Sequence, residues 1–494
     1  FLTKTLNETL LTRRSFLKWS AALGGTAALA GGLSYGLKAA KAAGAAEDAQ
    51  PKWVTVACWH NCGGRCLLKA QVKDGYVSRI KSDDTHADSP DFPQQRACVR
   101  GHSQRKQVFG ADRLKYPMKR AHWQPGGGDK SLRGKDDWVR ISWDEALDIV
   151  ASELKNVKDK YGNEAILAPW GAPLLNAYGG AWETWGMVSA GAWPQPVAHM
   201  AGRDQMATFY AEGGASDRMQ LRNSKLIVLW GANPAWSSAG NPAYNYLQAK
   251  KAGAKIICVD PIYHATAIAL ADEWIPVRPS TDTALLLGMA YYMIQNDLQD
   301  QEFLDKYTVG FDAGHMPEGA DPKGNFKDYV LGTYDGVPKT PEWASEICGT
   351  DPSLIRSFAQ EVATTKPAAL LSAFGPARTY IGEQFCQAFL TVGWMTGNVG
   401  IPGGMVADNA HSTAGNQGNP LVMPGATGVK TPPNPVCGGM MTGYMGDIQK
   451  TTFGIVWDEA WDAVVNGEFT DGPRGKRKVD IHLIYLIGEN AALN

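Results

Sequence analysis

Four cysteines stand at a spacing that suits a metal centre. Cys58, Cys62 and Cys66 form a C-x3-C-x3-C pattern, and Cys98 follows further along the chain. Disulfides between such close neighbours would close very small loops with little entropic benefit. Zinc also takes four thiolates, but usually from C-x2–4-C units repeated in pairs. An iron–sulfur cluster accepts three ligands from one loop and the fourth from elsewhere, so the pattern favours a 4Fe-4S cluster, with zinc and disulfides as alternatives.

A second set of polar residues lies beside predicted strands and helices. The set comprises Gly231 and Asn233 after "KLIVLW", Asp260 after "KIICV", and Ser280, Thr281 and Asp282 at the start of "STDTALL". A carboxylate at the end of the second strand of a β-α-β unit can accept hydrogen bonds from a ribose. Free N–H groups at a helix start suit a phosphate or a base. Each segment on its own is better explained by simple capping.

The elements that must position these residues follow an alternating pattern. From about residue 160, short apolar runs typical of buried parallel strands alternate with stretches of helical period. The predicted strands are "EAILAPW", "KLIVLWG", "KIICVD", "PAALLSAFG" and "IHLIYLIG". Strand, helix and strand in succession predict right-handed crossovers and a doubly wound, Rossmann-like parallel sheet, which binds ligands at the carboxyl ends of its strands.

The residues before this region have a different character. Residues 52–120 form short strand-like runs broken by Gly, Asp and Pro, which predict a small β-rich module. The stretch "ISWDEALDIVASELKNVKDKYG" has apolar residues at helical spacing, and Ser142 and Glu145 match a capping box at its start. The predicted fold class is therefore α/β, with a β-rich N-terminal domain ahead of dinucleotide-binding domains.

Composition argues against one class of function. The chain has 494 residues, of which 20% are charged, and a formal net charge of −1. This length predicts two to four domains. A nearly balanced charge is not what an electrostatically driven nucleic-acid binder needs, so we expect no nucleic-acid partner.

The first 42 residues have the layout of an export signal. A basic pair, Arg13 and Arg14, precedes a Gly/Ala-rich apolar run and an Ala-Lys-Ala end. The motif "TRRSFLK" resembles a twin-arginine signal, whose route moves proteins already folded, often around a cofactor. A membrane anchor is the alternative, because the apolar run is long enough to span a bilayer.

The cysteine pattern and the stretch "RACVRGHSQRKQVFGADRLKYPMKR" resemble the N-terminal domain of molybdopterin-dependent oxidoreductases of the dimethyl sulfoxide reductase family. They are most similar to the catalytic subunits of its anaerobic dimethyl sulfoxide reductase group, and the resemblance runs over essentially the whole mature chain. It implies that the four cysteines bind a 4Fe-4S cluster within a domain of residues 43–120. It also implies an electron relay at Arg100, two positions after Cys98; an ordinary surface arginine is the alternative.

The resemblance also implies the main cofactor. The second set of polar residues matches the family's guanine-dinucleotide segments, in which Gly231 and Asn233 approach the cofactor. By the same match, Asp260 holds a ribose and Asp282 pairs with the guanine donors, while Ser280 and Thr281 form the helix start. The implied cofactor is molybdenum, or tungsten, bound by two molybdopterin guanine dinucleotides.

Two further motifs carry the resemblance beyond the central strands. "GPAR", from Gly375 to Arg378, lies close to the metal in relatives, which implies a catalytic role for Arg378. "TGNVGIPGG" contains Asn398, which the match places among the cofactor-binding residues. Residues 121–494 are accordingly expected to form the molybdopterin oxidoreductase region.

One part of the chain departs from the family pattern. Relatives place a metal-ligating side chain before the "KLIVLWG" strand, which is a serine in the dimethyl sulfoxide reductase group. Here the region reads "VAHMAGRDQMATFYAEGG", in which Asp204 is the nearest residue with a competent oxygen. His199 is a second candidate ligand, and some relatives use no protein ligand. Four tryptophans are candidates for either a substrate funnel or core packing: Trp170, Trp182, Trp185 and Trp193.

The implied activity is reduction of an S-oxide or N-oxide, such as dimethyl sulfoxide, in anaerobic respiration. The implied partners are a ferredoxin-like iron–sulfur subunit and a membrane anchor subunit, at the periplasmic side of the cytoplasmic membrane. The alternatives are a relative acting on another oxyanion or a hydroxylated organic substrate, and a non-catalytic iron–sulfur electron-transfer protein. The ending "IYLIGENAALN" predicts a fragment that lacks the C-terminal pterin-binding barrel domain of relatives.

Overall fold

The computed structural model describes thirteen stretches of the chain, and the structural statements below concern these residues. They are residues 51–58, 66–94, 96–162, 165–167, 183–185, 218–236, 243–373, 375–376, 379, 382–407, 454–456, 460–470 and 476–485. The signal segment, and with it the prediction for residues 1–42, lies outside these stretches.

The strands and helices are labelled in chain order. The strands are β1 (Lys52–Ala57), β2 (Leu67–Lys73), β3 (Tyr76–Ser82), β4 (Met118–Arg120), β5 (Trp138–Arg140), β6 (Ile166–Leu167), β7 (Glu183–Trp185), β8 (Leu226–Trp230), β9 (Lys255–Val259), β10 (Glu273–Ile275), β11 (Ala368–Ser372), β12 (Met405–Ala407), β13 (Gly454–Val456), β14 (Glu468–Thr470), β15 (Lys476–Lys478) and β16 (Leu483–Ile484). The α-helices are α1 (Val99–Val108), α2 (Trp143–Tyr161), α3 (Tyr244–Lys251), α4 (Ala265–Leu270), α5 (Asp282–Gln295), α6 (Gln301–Tyr307), α7 (Phe326–Leu331), α8 (Pro341–Cys348), α9 (Pro352–Thr364), α10 (Glu383–Met395) and α11 (Ala460–Asn466).

The N-terminal part is β-rich, as predicted. Strands β1, β2 and β3 form one sheet in that order. Asp74 and Gly75 join β2 to β3 with φ angles of 52° and 79°. A two-residue Asp-Gly turn with positive φ at both positions matches the twist of a hairpin, so this local sequence fixes the register of β2 and β3. This sheet lies largely in one compact unit, and the residues after Lys81 belong to a second unit.

A five-stranded parallel sheet forms the centre of the second unit. Its strand order is β10-β9-β8-β11-β12, and each neighbouring pair is parallel. All five residues of β8 and of β11 are buried. Parallel strands covered on both faces read as continuous apolar runs, which is how "LIVLW" and "AALLS" appear in the sequence.

Helices cover both faces of this sheet, which confirms the doubly wound prediction. Alternate residues of β8 enter different cores, because successive side chains of a strand point to opposite faces. Leu226, Val228 and Trp230 join one core with residues of α5, α8, α9 and α10. Ile227 and Leu229 join the other core with residues of α3 and α4.

The remaining strands form small pairs. β4 pairs with β5 and β14 with β15 in antiparallel fashion, while β6 pairs with β16 and β7 with β13 in parallel fashion. The predicted strands "EAILAPW" and "IHLIYLIG" therefore pair with each other, through β6 and β16, in a sheet apart from the central one. None of the helices within the described stretches is long and apolar enough to cross a membrane.

The predicted capping box at the start of α2 is half formed. The Ser142 hydroxyl accepts a hydrogen bond from the Glu145 N–H at 3.0 Å, as a capping box requires. The Glu145 carboxylate instead accepts from Lys119 Nζ at 2.6 Å. The Lys119 ammonium thus takes the place of the Ser142 N–H, and both partners of the resulting hydrogen bond are ionised.

Gly393 permits close packing of α10 on the central sheet. A Cβ at this position would lie 2.3 Å from Cγ1 and 3.0 Å from Cγ2 of Val406 in β12. Real side chains do not approach this closely, so any larger residue at position 393 must displace the helix or the strand.

We predict that Gly393→Ala destabilises the protein by about 1–3 kcal/mol, the usual cost of overpacking a core, although alanine is the better helix former. Thermal unfolding measures this change. Gly324→Ala is the control, because a Cβ there meets nothing within 4 Å. Val406→Ala removes both clashing methyl groups, so the double variant must lose less than the sum of the two single changes; strict additivity would contradict the packing explanation.

Candidate functional site

The carboxyl edge of the central sheet brings most of the predicted dinucleotide residues together. Gly231 follows β8, Asp260 follows β9, and Gly375 lies just after β11. The Gly231 N–H donates to Val259 O at 2.9 Å, and the Asp260 N–H donates to Ile275 O at 3.2 Å. These bonds continue the sheet ladder past the strand ends and hold the exits of neighbouring strands in fixed positions.

Gly231 allows the exits of β8 and β11 to meet. Its φ is 57°, in the left-handed region that favours glycine. A Cβ on Gly231 would lie 2.3 Å from Cδ of Pro376. A side chain at position 231 would therefore both strain the backbone and separate the two segments.

Asp282 is a buried carboxylate at the first position of α5. The residue is only 5% exposed, and its Oδ1 accepts a hydrogen bond from Trp230 Nε1 at 2.8 Å. Burial raises the pKa of Asp282, and the nearby Asp260 carboxylate raises this pKa further, while the bond from Trp230 opposes both effects. A carboxylate has more acceptor capacity than one indole N–H uses, so Asp282 can accept from a further donor.

The indole ring of Trp230 is held in the orientation in which its N–H donates to Asp282. It is 1% exposed, and its ring centroid lies 6.1 Å, 6.1 Å and 6.0 Å from those of Phe358, Phe385 and Phe389. Aromatic pairs at these separations and angles are favourable, and they restrict rotation of the indole. The aromatic core therefore orients the indole N–H that donates to Asp282.

The start of α5 lacks a side-chain cap. Ser280 has a φ of 69°, an uncommon conformation for a residue other than glycine. The Thr281 hydroxyl donates back to Arg278 O at 2.8 Å and caps no N–H of the helix. The helix therefore begins at Asp282 without a side-chain hydrogen bond at its N-cap, and the predicted ligand-binding role of this start stays a prediction.

Thr266 is a residue that the sequence analysis missed. It lies in the first turn of α4, is fully buried, and donates to Asn233 Oδ1 at 2.7 Å. The Ala235 N–H in turn donates to the Thr266 hydroxyl at 3.0 Å. The turn after β8 is therefore tied to the helix after β9, which fixes the backbone on both sides of the strand exits.

His264 is a second residue that the sequence analysis missed. It precedes α4, and its Nδ1 accepts a hydrogen bond from the Ala267 N–H at 3.2 Å. Its Nε2 is buried, makes no hydrogen bond with the described residues, and lies 3.5 Å from Asp260 Oδ2. The available signal was a polar residue in front of the helical run "ATAIAL", which is the position of an N-cap.

Asn398 lies apart from these residues. It is fully buried, its Oδ1 accepts from the Ala368 N–H at 2.8 Å, and its Nδ2 donates to Thr396 Oγ1 at 2.9 Å. Ala368 begins β11, so Asn398 stands at the amino end of that strand, opposite the edge that carries Asp260. Its hydrogen bonds close a turn of the protein, and we leave it out of the proposed cofactor site.

Three of the four predicted cluster cysteines are described, and all three are buried. Cys58, Cys66 and Cys98 are 4%, 3% and 7% exposed, and none of them forms a disulfide. The Cys58 N–H donates to Cys66 O at 2.8 Å, which closes the loop that contains Cys62. A Cβ on Gly101 in α1 would lie 3.5 Å from the Cys58 sulfur, so the helix that follows Cys98 approaches this loop closely.

A side-chain donor distinguishes Cys58 from a thiol of the central sheet. Gln104 Nε2 in α1 donates to the Cys58 sulfur at 3.4 Å, and Arg100 lies on the same helix, partly exposed. By contrast, burial, aided by the charge of Asp260, raises the pKa of Cys258 in β9 to about 12. The Cys258 thiol therefore remains protonated at neutral pH and is unsuited to bind metal.

Several predicted residues lie outside the described stretches. These are Cys62, His199, Asp204, Arg378 and the tryptophans Trp170, Trp182 and Trp193, together with the side chain of Trp185. Their predicted roles stay predictions.

Comparison with known protein families identifies the chain. Residues 113–493 match the molybdopterin oxidoreductase family. The chain belongs to that family. Residues 51–109 match the molybdopterin oxidoreductase Fe4S4 domain, and residues 10–30 match the signal sequence of the twin-arginine translocation pathway. These matches confirm the predicted 4Fe-4S and molybdopterin cofactors and the export route.

Curated relatives of this molybdopterin oxidoreductase include reductases of S-oxides and N-oxides. Dimethyl sulfoxide reductase DmsA of Escherichia coli is 36% identical over 98% of this chain and 58% of its own length. The putative dimethyl sulfoxide reductase chain YnfE of the same organism is 38% identical over 80% of this chain and 49% of its own. Trimethylamine-N-oxide reductase of Haemophilus influenzae is 34% identical over 89% of this chain and 52% of its own length. The chain thus spans about half the length of these relatives.

The described residues fit the cofactors of this family. The buried Asp282 carboxylate has spare acceptor capacity, and the buried His264 Nε2 has no hydrogen-bond partner among the described residues. Both lie on elements that meet at the carboxyl edge of a doubly wound sheet, where such folds bind dinucleotides. The three buried cysteines without disulfides fit a thiolate-bound cluster.

We predict that Gln104→Leu lowers the reduction potential of the cluster by tens of mV, because an N–H donated to a ligand sulfur stabilises the more negative, reduced cluster. A redox titration followed by electron paramagnetic resonance measures this potential. Gln107→Leu is the matched control, since Gln107 is an exposed residue of the same helix. Equal potentials for the two variants would show that the Gln104 bond does not act on the cluster.

We predict that Asp282→Asn stabilises the cofactor-free protein at neutral pH by about 1–3 kcal/mol, the range for relieving an incompletely compensated buried polar group. The folded protein holds the Asp282 proton more tightly than the unfolded chain does, so wild-type stability falls as pH rises through the window between the ordinary pKa of 3.8 and the raised value. The advantage of the variant must therefore shrink as pH falls through that window. Urea unfolding at several pH values measures it, and a pH-independent difference would contradict the charge explanation.

Proposed function

We propose that this chain is the catalytic part of a molybdenum bis(molybdopterin guanine dinucleotide) oxidoreductase that reduces an S-oxide or N-oxide, such as dimethyl sulfoxide, in anaerobic respiration. The observation that carries this proposal is the 36% identity to dimethyl sulfoxide reductase DmsA over 98% of the chain. The two relatives named as dimethyl sulfoxide reductase chains and the N-oxide reductase share this chemistry, which removes an oxygen atom from a heteroatom.

The guanine form of the pterin dinucleotide is supported by Asp282. Guanine presents adjacent N–H donors on one edge, and an ionised carboxylate is an acceptor-only group that can receive them. Trp230 already holds Oδ1 at 2.8 Å, so the carboxylate is oriented before a base arrives. Preorganised groups lose less entropy on binding, which supports affinity. Asp260, at the end of β9, is the proposed ribose contact.

The proposed roles of the remaining residues follow the family match. Gly231, Asn233, Gly375, Ser280 and Thr281 supply backbone at the carboxyl edge and at the start of α5. Arg100 lies two residues after Cys98, and we assign it to electron relay between the cluster domain, residues 43–120, and the pterin region, residues 121–494.

The metal ligand is part of the proposal as well. We assign Asp204 as the candidate protein ligand, with His199 as the second candidate and Arg378 near the reacting oxygen. When bound, the metal–pterin group supplies the two-electron chemistry, in which substrate, two electrons and two protons give the reduced product and water. The protein's own contribution is to bind, orient and shield this reaction.

The partners and location follow from the electron requirement. A reductase of this kind needs an electron donor, and we propose a ferredoxin-like iron–sulfur subunit with a membrane anchor subunit. The twin-arginine signal at residues 10–30 supports a site of action in the periplasm or at the outer face of the cytoplasmic membrane.

A second candidate function is reduction of another oxyanion or conversion of a hydroxylated organic substrate by the same cofactors. The specific observation in its favour is the sequence "AGRDQM" around Asp204, which lacks the serine typical of the dimethyl sulfoxide reductase group. Since the metal ligand influences which substrate binds, substrate identity is the part of the proposal that most needs a test.

We predict that the full-length protein, purified without oxygen, contains about four iron atoms per cluster site, molybdenum or tungsten, and guanosine monophosphate after acid hydrolysis. It should also oxidise reduced benzyl viologen when dimethyl sulfoxide or trimethylamine N-oxide is added. Metal analysis, nucleotide chromatography and the dye assay measure these properties. Cys98→Ala should lose iron, whereas Cys258→Ala should retain it, because the Cys258 thiol is protonated and buried in the sheet.

The outcomes separate the alternatives. Iron without molybdenum, tungsten or pterin would indicate the non-catalytic electron-transfer protein, and zinc alone would overturn the cluster. A complete cofactor set with no S-oxide or N-oxide reduction would favour the second candidate function.

A further inference from the structure

The Nε2 atom of His264 is a buried polar group beside the carboxyl edge of the central sheet. The His264 side chain is only 10% exposed, and Nε2 makes no hydrogen bond with the described residues. A buried donor that loses its hydrogen bond to water and gains none in the folded state destabilises that state. Native structures rarely keep such groups, so an unpaired buried nitrogen beside a binding edge indicates a missing ligand atom.

The hydrogen bond at the other ring nitrogen, Nδ1, determines whether Nε2 is a donor or an acceptor. His264 Nδ1 accepts a hydrogen bond from the Ala267 N–H at 3.2 Å and caps α4. A nitrogen that accepts carries no proton, so the ring is the neutral tautomer with its hydrogen on Nε2. His264 therefore offers an N–H donor at the site, held in place by the helix cap.

Asp260 supplies the complementary acceptor. The Ile262 N–H donates to Asp260 Oδ1 at 2.9 Å, and Trp274 Nε1 donates to the Asp260 carbonyl at 2.9 Å. These two bonds fix the residue and leave Oδ2 facing His264, 3.5 Å from Nε2. The Asp260 side chain is 15% exposed, so this pair lies at the surface of the edge and not within the core.

A hydroxyl group matches this pair better than a phosphate does. A hydroxyl can accept from the His264 N–H and donate to the Asp260 carboxylate at the same time. A phosphate oxygen would accept from the N–H, but its negative charge would be repelled by Asp260. The chemistry therefore points to a sugar hydroxyl.

We propose that His264 is a cofactor-binding residue whose Nε2–H donates to the same ribose hydroxyl that donates to Asp260 Oδ2. This inference rests on the proposed pterin dinucleotide and adds a donor to the ribose contact of Asp260. It explains why a histidine occupies the N-cap of α4, where serine, threonine, aspartate or asparagine would cap the helix as well.

Two substitutions test separately the role of His264 as a hydrogen-bond donor to the ligand and its role as the cap of α4. His264→Asn keeps an oxygen that can accept from the Ala267 N–H but cannot place a donor where Nε2 stands. His264→Gln is longer and can place an amide donor at the Nε2 position, but it does not cap the helix as well. The rate of pterin dinucleotide loss from the full-length protein, followed by fluorescence of the oxidised pterin, is the readout, with iron content and thermal unfolding as folding controls.

The proposal expects dinucleotide loss to become about three- to tenfold faster in His264→Asn, the effect of one hydrogen bond, and to change less than about twofold in His264→Gln. It also expects a double variant with Asp260→Asn to show less than the product of the two single effects, because both residues hold one hydroxyl.

Three results overturn it. Wild-type retention in His264→Asn shows that the histidine acts through the helix cap alone. Equally fast loss in His264→Asn and His264→Gln shows that an amide donor at the Nε2 position does not replace the imidazole N–H. Full multiplicativity in the double variant shows that the two residues do not share a ligand group. Absence of a guanine nucleotide from the wild-type protein overturns the proposed cofactor itself, which distinguishes that failure from a failure of the role of His264.

Discussion

The pairing of β8 with both β9 and β11, residue for residue along its length, is the constraint on which the rest of the site depends. The parallel strands end at the same edge of the sheet. Gly231, Asp260 and Gly375 directly follow these strands and therefore lie at that edge. The two cores on opposite faces of β8 make this pairing costly to disturb, because a shift by one residue would exchange the side chains of the two cores. The relative positions of these candidate cofactor-binding residues therefore depend on the register of the sheet.

The same edge of the sheet carries two residues whose burial or backbone conformation lowers the stability of the folded protein. Asp282 is a buried carboxylate whose pKa is raised by burial, and Ser280 adopts a left-handed conformation. Each costs stability in the absence of a ligand. Such costs are commonly found where a protein has been selected to bind rather than only to fold. The extensive apolar packing of α5 and β8 offsets them.

The sequence predicted the strands and helices of the central sheet well, because each apolar run and helical period depends on local spacing alone. It also placed Asp260 at the carboxyl end of a strand and Asp282 at the start of a helix, where the structure has them. It missed Thr266, since the bond to Asn233 joins residues that only the β-α-β crossover brings close. It missed His264 although its contacts, Ala267 and Asp260, are local, because a histidine is an uncommon N-cap residue. It misjudged the Glu145 half of the capping box, because Lys119 arrives from another element. Asn398 was grouped with the cofactor residues, yet it closes a turn at the opposite end of β11.

Trp230 belongs to the aromatic core and also holds Asp282, the carboxylate that we propose for base recognition. Its ring packs among Phe358, Phe385 and Phe389, while its N–H sets the direction of the Asp282 carboxylate. An aliphatic residue of similar volume at any of those three positions could fill the space and still let the indole rotate. The packing of these three phenylalanines therefore bears on the direction of a polar group as well as on the stability of the core.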